Sequence, residues 1–387
     1  MKRLARKCIE KLTPYPPGKP IEELERELGI VGSIKLASNE NPLGPSPKAI
    51  KAIKQNISNI HRYPDGSCYY LRRKLSKKFG LPMNKIILGN GSNEIIKLVV
   101  HTFLSPGEEV ILPFPTFLMY EKIVQSFAGK IVTVPLLDFS INLSAILTAV
   151  SSKTKIIIIN NPNNPTGMGL NKKDISQFLH SIPSDLIVIL DEAYIEFSTD
   201  PDIASSLKLL ESYPLLVILR TFSKIYGLAG LRIGYGFASE TIVDSMNLVR
   251  QPFNVNYLAQ AGALAALDDD EFVEKTRTLT QDGLLFLYSQ LDRIGLEYIP
   301  TQTNFFLIKT PLGAHETFQR MLKEGVIVRS MESYGLNDYI RINVGLPEEN
   351  KRFIKALEKV LYTKLGNFSK SSGKNKKISR QTEFKVL

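Results

Sequence analysis

Three short, almost wholly apolar runs set the terms for any fold this chain can adopt. They are Lys155-Ile-Ile-Ile-Ile159, Leu186-Ile-Val-Ile-Leu190 and Leu215-Leu-Val-Ile-Leu219, and each stops abruptly at a polar or glycine-rich turn. Each is far too short to cross a bilayer as a helix. Without polar alternation, each predicts a strand covered on both faces, and together they predict a mostly parallel sheet with helices packed outside it. The run ends at residues 159, 190 and 219 lie about 30 residues apart, the length of one strand-helix-strand unit. In open α/β sheets ligands bind beyond the carboxyl ends of the strands. The residues that follow the three runs are therefore the place to look for chemistry.

Composition narrows the rest. With 387 residues, 43% of them apolar, the chain can bury a substantial core and should form one large domain or two to three ordinary ones. Cys8 and Cys68 stand far apart, so neither a disulfide framework nor a Cys-x-x-Cys motif is available, and a reducing compartment is expected. His61, His101, His180 and His315 show no ligand-pair spacing, so no metal is expected. Met1 to Glu10 is basic but no apolar stretch follows, which predicts a cytoplasmic protein with no leader and no membrane segment. The net charge of +11 raises the question of nucleic acid, yet from Lys364 onward seven basic residues face only Glu383. Ser369 to Arg380 is rich in Ser, Lys, Gly and Asn, so residues 366–387 are expected to form a disordered, solubilising tail and no nucleic-acid partner is expected.

Along the chain, proline and glycine punctuate Thr13 to Pro20 and Asn39 to Pro47, with a helical pattern over Ile21 to Leu28 between them. Residues 1–30 read as an arm and residues 51–267 as a large domain of alternating strands and helices. After Asp268-Asp-Asp-Glu271 comes a long helical pattern to about Ile294, then strand-like Asn304 to Ile308, Val326 to Val328 and Tyr339 to Asn343. Residues 31–50 with 268–365 are expected to make a smaller α/β domain.

The first run leads into Asn160-Asn-Pro-Asn-Asn-Pro-Thr-Gly167, a tight turn that presents side-chain amides or is simply a turn. The second leads into Asp191-Glu-Ala-Tyr194, where the aspartate is either a helix N-cap or the partner of a cation. The third leads into Arg220-Thr-Phe-Ser-Lys224 and then Arg232, flanked by glycines, and this pattern is poorly explained by packing or solvation. A lysine in a partly dry pocket has a lowered pKa and attacks carbonyl groups, while Thr221, Ser223 and Arg232 suit an anion such as phosphate. A lysine for an aldehyde, a carboxylate for a pyridinium nitrogen and a phosphate cradle are the requirements of pyridoxal 5′-phosphate.

Two further turns add to this. Leu88-Gly-Asn-Gly-Ser-Asn-Glu94 opens a helical pattern and offers phosphate the N–H groups of a helix start, but it lacks the third glycine of a dinucleotide fingerprint and the Lys-Ser/Thr of a P-loop. Pro113-Phe-Pro-Thr-Phe117 sets an aromatic in a rigid turn, either to stack on a flat ring or to fill the core.

Taken in order, Gly-Asn-Gly-Ser-x-Glu, Pro-x-Pro-Thr-aromatic, Asn-Pro-x-Asn-Pro-Thr-Gly, Asp-Glu-Ala-Tyr and the segment from Ser223-Lys224 to Gly-Leu-Arg232-Ile-Gly resemble the fold-type-I pyridoxal-phosphate aminotransferases, over about residues 12 to 365. Within them, Leu12 to Glu23, Leu36 to Gly44 and Arg250 to Asn256 resemble the histidinol-phosphate aminotransferases of histidine biosynthesis. The resemblance implies an α/β fold with a mostly parallel central sheet in the large domain, a smaller α/β domain, and transamination between histidinol phosphate and 2-oxoglutarate with glutamate as the partner amino acid. It implies a homodimer as well.

By the same resemblance Lys224 would form the Schiff base with the cofactor and shuttle the proton between Cα and C4′. Asp191 would keep the pyridine nitrogen protonated, and Asn164 and Tyr194 would bond the phenolic oxygen. Ser92, Asn93, Ser223, Arg232 and, from a second subunit, Tyr63 would hold the phosphate, with Phe117 stacked on the ring. Arg341 would take an amino-acid α-carboxylate, while Tyr15 and Arg329 would take the distal phosphate or the glutamate side chain. Alone, the two arginines read as surface charges. The sequence departs from the pattern at Asn93, where an acidic residue is usual, and at Phe117, where tyrosine is usual, so one cofactor hydrogen bond is expected to be missing and cofactor retention to be weaker. Other readings left open are an aromatic amino-acid aminotransferase, a threonine-phosphate decarboxylase and a nucleic-acid binder working through the tail.

Overall fold

The computed structural model describes residues 4–10, 12–203 and 205–362. The tail expected over residues 366–387 lies outside the described residues. In chain order the strands are β1 (Ile34–Lys35), β2 (Ile86–Gly89), β3 (Glu109–Phe114), β4 (Lys130–Pro135), β5 (Thr154–Asn160), β6 (Ile187–Asp191), β7 (Leu216–Thr221), β8 (Gly234–Phe237), β9 (Tyr298–Ile299), β10 (Phe305–Lys309), β11 (Val326–Ile327), β12 (Arg329–Ser330) and β13 (Tyr339–Asn343).

The three apolar runs are β5, β6 and β7, side by side in a seven-stranded sheet of order β2-β8-β7-β6-β5-β3-β4. Every residue of β6 and β7 is buried, which is why these strands carry no polar alternation. The pairs from β7 through to β4 are parallel, and β8 alone runs against both its neighbours, β7 and β2. The fold is α/β with a mostly parallel sheet, as the runs predict.

Two local expectations need correction. The β6-to-β7 connection contains no α-helix among its described residues; it crosses by the 3-10 turns Ile195–Phe197 and Leu207–Leu210. Pro201 and Pro214 interrupt the segment, and proline cannot supply the N–H that an α-helix needs. The expected strand Val326 to Val328 is shorter, Val326–Ile327, and a separate short strand follows it at Arg329–Ser330. Val326–Ile327 pairs in parallel with β1, whereas Arg329–Ser330 pairs antiparallel with β13.

That second sheet has the order β12-β13-β10-β9 and is antiparallel throughout. It packs on the helix Asp270–Ile294, which starts with Asp270 and Glu271 in its first turn and ends with Arg293 and a left-handed Gly295, charges and cap that suit both helix ends. Leu287 and Leu291, one turn apart on this helix, pack against Phe306, Ile342 and Phe353 in one core cluster. A larger cluster lies on one face of the seven-stranded sheet and includes Ile157, Ile159, Val188, Leu190 and Ile218; a third covers the opposite face with Ile156, Ile158, Ile189 and Val217. Among the described residues no helix is long and apolar enough to cross a membrane, and no group of three or more His, Cys, Asp and Glu side chains is placed to hold a metal ion.

Candidate active site

Register places the chemistry. Asn160 and Asp191 are directly paired at the carboxyl ends of β5 and β6, with Thr221 ending β7 beside them. A cavity of about 290 Å³ opens there, and β12 and β13 contribute Arg329 and Arg341 to its wall. Every residue singled out by the motifs lines this one cavity except Tyr63. Tyr63 is 82% exposed, and its ring stacks on Phe253 at 4.8 Å.

Asp191 is 4% exposed, and its Oδ2 accepts a hydrogen bond from Tyr120 Oη at 2.7 Å while Oδ1 accepts from the Ala193 N–H at 3.1 Å. It forms no ion pair among the described residues. Burial raises its pKa to about 6, against the lowering effect of the Tyr120 hydrogen bond. Lys224 Nζ donates to the Ser38 carbonyl at 3.1 Å and lies 5.5 Å from the centre of the Tyr194 ring. Burial, then the positive field of Arg341, lowers its pKa to about 8.

An anion cradle lies where the helix Ser92–Phe103 begins. Gly91 precedes it with φ +79°, and a Cβ there would sit 2.5 Å from Arg232 Nη2, so only glycine lets that guanidinium come so near the helix start. A Cβ at Gly234 would come 2.4 Å from the Ser92 nitrogen. Arg232 Nη1 donates to the Ala229 carbonyl at 2.9 Å and to Ser223 Oγ at 3.4 Å. Glu94 Oε2 accepts from the Asn90 N–H and from Asn254 Nδ2, at 2.6 and 2.7 Å, which fixes the turn from below.

On the other side of the cavity Arg341 is buried, with no acidic partner among the described residues. It donates to Asn164 Oδ1 and to the Ala37 carbonyl, the latter at 3.0 Å, and its Nε has no partner among the described residues. Arg329 is buried as well, donates to the Pro16 carbonyl at 2.7 Å and lies over the Tyr15 ring. Tyr15 meets Phe117 edge to face at 6.2 Å. The arm is fastened over this region by Lys122, which donates to Thr13 Oγ1 at 3.1 Å.

These features suit pyridoxal 5′-phosphate on grounds that belong to the protein alone. A buried carboxylate without a cation fits a protonated ring nitrogen, a helix start kept open by glycine fits a phosphate, and a buried lysine near pKa 8 fits an aldehyde. Two cavity residues have no signature of their own in the sequence. Tyr120 lies in the first turn of the helix Met119–Ser126, three positions after Phe117, and nothing in that spacing points to Asp191. Asn39, which donates to Tyr194 Oη at 3.0 Å, sits in a proline-rich loop that contributes to the family resemblance but gives Asn39 itself no role.

Residues 31–357 match the model of the aminotransferase class I and II family. The chain belongs to that family. Among its relatives, a histidinol-phosphate aminotransferase of Desulfotalea psychrophila is 50% identical, over 91% of this chain and 94% of that one. A protein of Carboxydothermus hydrogenoformans named histidinol-phosphate aminotransferase 2 is 46% identical over 92% of this chain and 99% of its own length. The crystal structure of histidinol-phosphate aminotransferase from Sinorhizobium meliloti, in complex with pyridoxal 5′-phosphate, superposes with a TM-score of 0.86 at 26% identity, covering 93% of this chain and 98% of that one.

Proposed function

We propose that this family member is a histidinol-phosphate aminotransferase, exchanging an amino group between histidinol phosphate and 2-oxoglutarate with pyridoxal 5′-phosphate as cofactor. The observation that carries the reading is the meeting of Lys224, Asp191 and two buried, acid-free arginines in one cavity, in a chain close in sequence to relatives of that name over nearly their whole length. When bound, the cofactor supplies an aldehyde that carries the amino group and a ring that draws electrons from the substrate's Cα.

The chain's own residues do the rest. Lys224 Nζ, kept partly neutral by burial, would hold the cofactor through its aldehyde carbon and, once displaced by the substrate's amino group, would carry the proton from the substrate's Cα to the cofactor's C4′. Asp191 holds a proton on the ring nitrogen, and Tyr120 holds Asp191 in place through its 2.7 Å hydrogen bond. Ser92, Asn93, Ser223 and Arg232 bind the cofactor phosphate, and Phe117 covers the ring. Asn164 and Tyr194 bond the phenolic oxygen. Asn164 spends its carbonyl oxygen on Arg341 and so has its amide N–H groups left to donate. Arg341 takes the α-carboxylate of glutamate in a paired hydrogen-bond geometry. Tyr15 and Arg329 take the phosphate of one substrate or the distal carboxylate of the other.

The reading includes a homodimer in which Tyr63 reaches the partner's cofactor phosphate. Ile57, Ile60, Tyr63, Tyr69 and Tyr70 are all exposed within one stretch of chain, an apolar surface that a second copy would cover. The catalytic reading is tested by mixing cofactor-loaded protein with histidinol phosphate alone. One keto product per site should form and the reaction stop, with 2-oxoglutarate restoring turnover. Continuous turnover without 2-oxoglutarate would overturn it.

A further inference from the structure

Four features converge on Asn39, in the loop after β1. Its φ is +55°, a left-handed backbone that few residues other than glycine, asparagine and aspartate hold readily. Its backbone is gripped by residues of the four-stranded sheet and its approach: the N–H donates to Asn343 Oδ1 at 3.0 Å, and the carbonyl accepts from Asn304 Nδ2 at 3.2 Å. Its side-chain nitrogen donates to Tyr194 Oη at 3.0 Å. Its side-chain oxygen is buried with no partner among the described residues, a cost to folding that packing alone does not explain.

The direction of the bond to Tyr194 has a chemical consequence. An amide nitrogen can only donate, so the phenol oxygen that accepts from it must send its own proton elsewhere. Tyr194 Oη has no other protein partner among the described hydrogen bonds, and Tyr194 lines the cavity. On the function proposed above, we infer that Asn39 is a positioning residue that acts through Tyr194, aiming the tyrosine's hydroxyl proton at the cofactor's phenolic oxygen. It thereby ties the orientation of that proton to the sheet that carries Arg341. The charged groups facing Tyr194 are Lys224, Arg341 and Asp191, and the test leaves all three in place.

The test uses the cofactor-loaded protein and two substitutions, each made alone and in a Tyr194→Phe background. Asn39→Gly keeps the left-handed backbone free of strain and deletes the amide. Asn39→Asp keeps the shape but turns the donor into an acceptor, which draws the Tyr194 proton away from the cavity. A hydrogen bond donated to the cofactor's phenolate favours its deprotonated form, so losing it raises the pH midpoint of the bound cofactor's absorbance change. The expected result is a midpoint raised by about one pH unit in Asn39→Asp, a smaller rise in Asn39→Gly, and a loss of about tenfold or more in kcat/KM. With Tyr194→Phe present, Asn39→Gly should not move the midpoint further, and Asn39→Asp should move it only by the direct field of its new charge, well short of its shift with the hydroxyl present. Equal shifts with and without the Tyr194 hydroxyl would overturn the inference, as would an unmoved midpoint in Asn39→Asp. If Asn39→Asp does not fold, the Asn39→Gly and Tyr194→Phe pair decides alone. A wild-type protein that fails to take up the cofactor at Lys224 would overturn the proposed function instead, and that result is read before any variant is made.

Discussion

Burial and the neighbouring Arg341 hold Lys224 at about pKa 8 instead of the ordinary 10.5, and the rate of cofactor capture should report this directly. Only the neutral amine attacks an aldehyde. At pH 7 a group of pKa 8 is neutral in about one molecule in eleven, against about one in three thousand at 10.5, a gain of about 300-fold in available nucleophile. Apoprotein mixed with pyridoxal 5′-phosphate in a stopped-flow absorbance experiment should therefore capture it at a rate that climbs about tenfold per pH unit below 8 and flattens above it. Dividing by the rate for a simple alkylamine, counted per neutral amine, removes the cofactor's own titration. Arg341→Met removes the second cause of the lowering, so the break should move up by about one unit, while desolvation still keeps it below 10.5. A rate that keeps climbing log-linearly past pH 9.5 in the wild type would refute the argument, because it would mean that the cavity does not desolvate the lysine.

Other consequences follow from the same geometry. Asp191→Asn should retain cofactor capture at Lys224 but lower kcat by about 10²- to 10⁴-fold, since an amide cannot hold a proton on the ring nitrogen by charge; unchanged kcat would remove Asp191 from the mechanism. Gly234→Ala puts a methyl group 2.4 Å from the Ser92 nitrogen, so equilibrium dialysis should show cofactor affinity lowered by about tenfold or more with pyridoxal, which lacks the phosphate, little affected. Arg220 and Glu192 form a buried ion pair at 2.9 Å, and Arg220→Ala should cost about 3–5 kcal/mol in urea unfolding of the apoprotein, because it strands a buried carboxylate. Sedimentation at assay concentration should give a dimer, and a fully active monomer would remove Tyr63 from the site.

What could be read from the sequence followed burial and chain order. The runs that became β5, β6 and β7 were legible because central parallel strands are apolar on both faces, and the residues after them were legible because such strands end at the ligand crevice. β8 was not legible: Gly234-Tyr-Gly-Phe237 is short and half glycine, so its antiparallel place between β2 and β7 comes from tertiary pairing. Tyr120 and Asn39 acquire their roles through partners 71 and 155 positions away, Asp191 and Tyr194, and no local pattern encodes such a meeting. Arg329 and Arg341 read locally as strand-end charges; only the fold buries them without an acid and turns them toward the cavity.

The central claim is that this cavity was built for a phosphorylated substrate, and its most direct test is kcat/KM for histidinol phosphate against phenylalanine, each with 2-oxoglutarate and cofactor-loaded protein. A site whose buried Arg329 and neighbouring Tyr15 await a phosphate should reject a substrate that leaves them unpaired, by about 10⁴-fold. Comparable values, or a preference for phenylalanine, would contradict the account of Tyr15 and Arg329 and mark the protein as a broader aromatic aminotransferase.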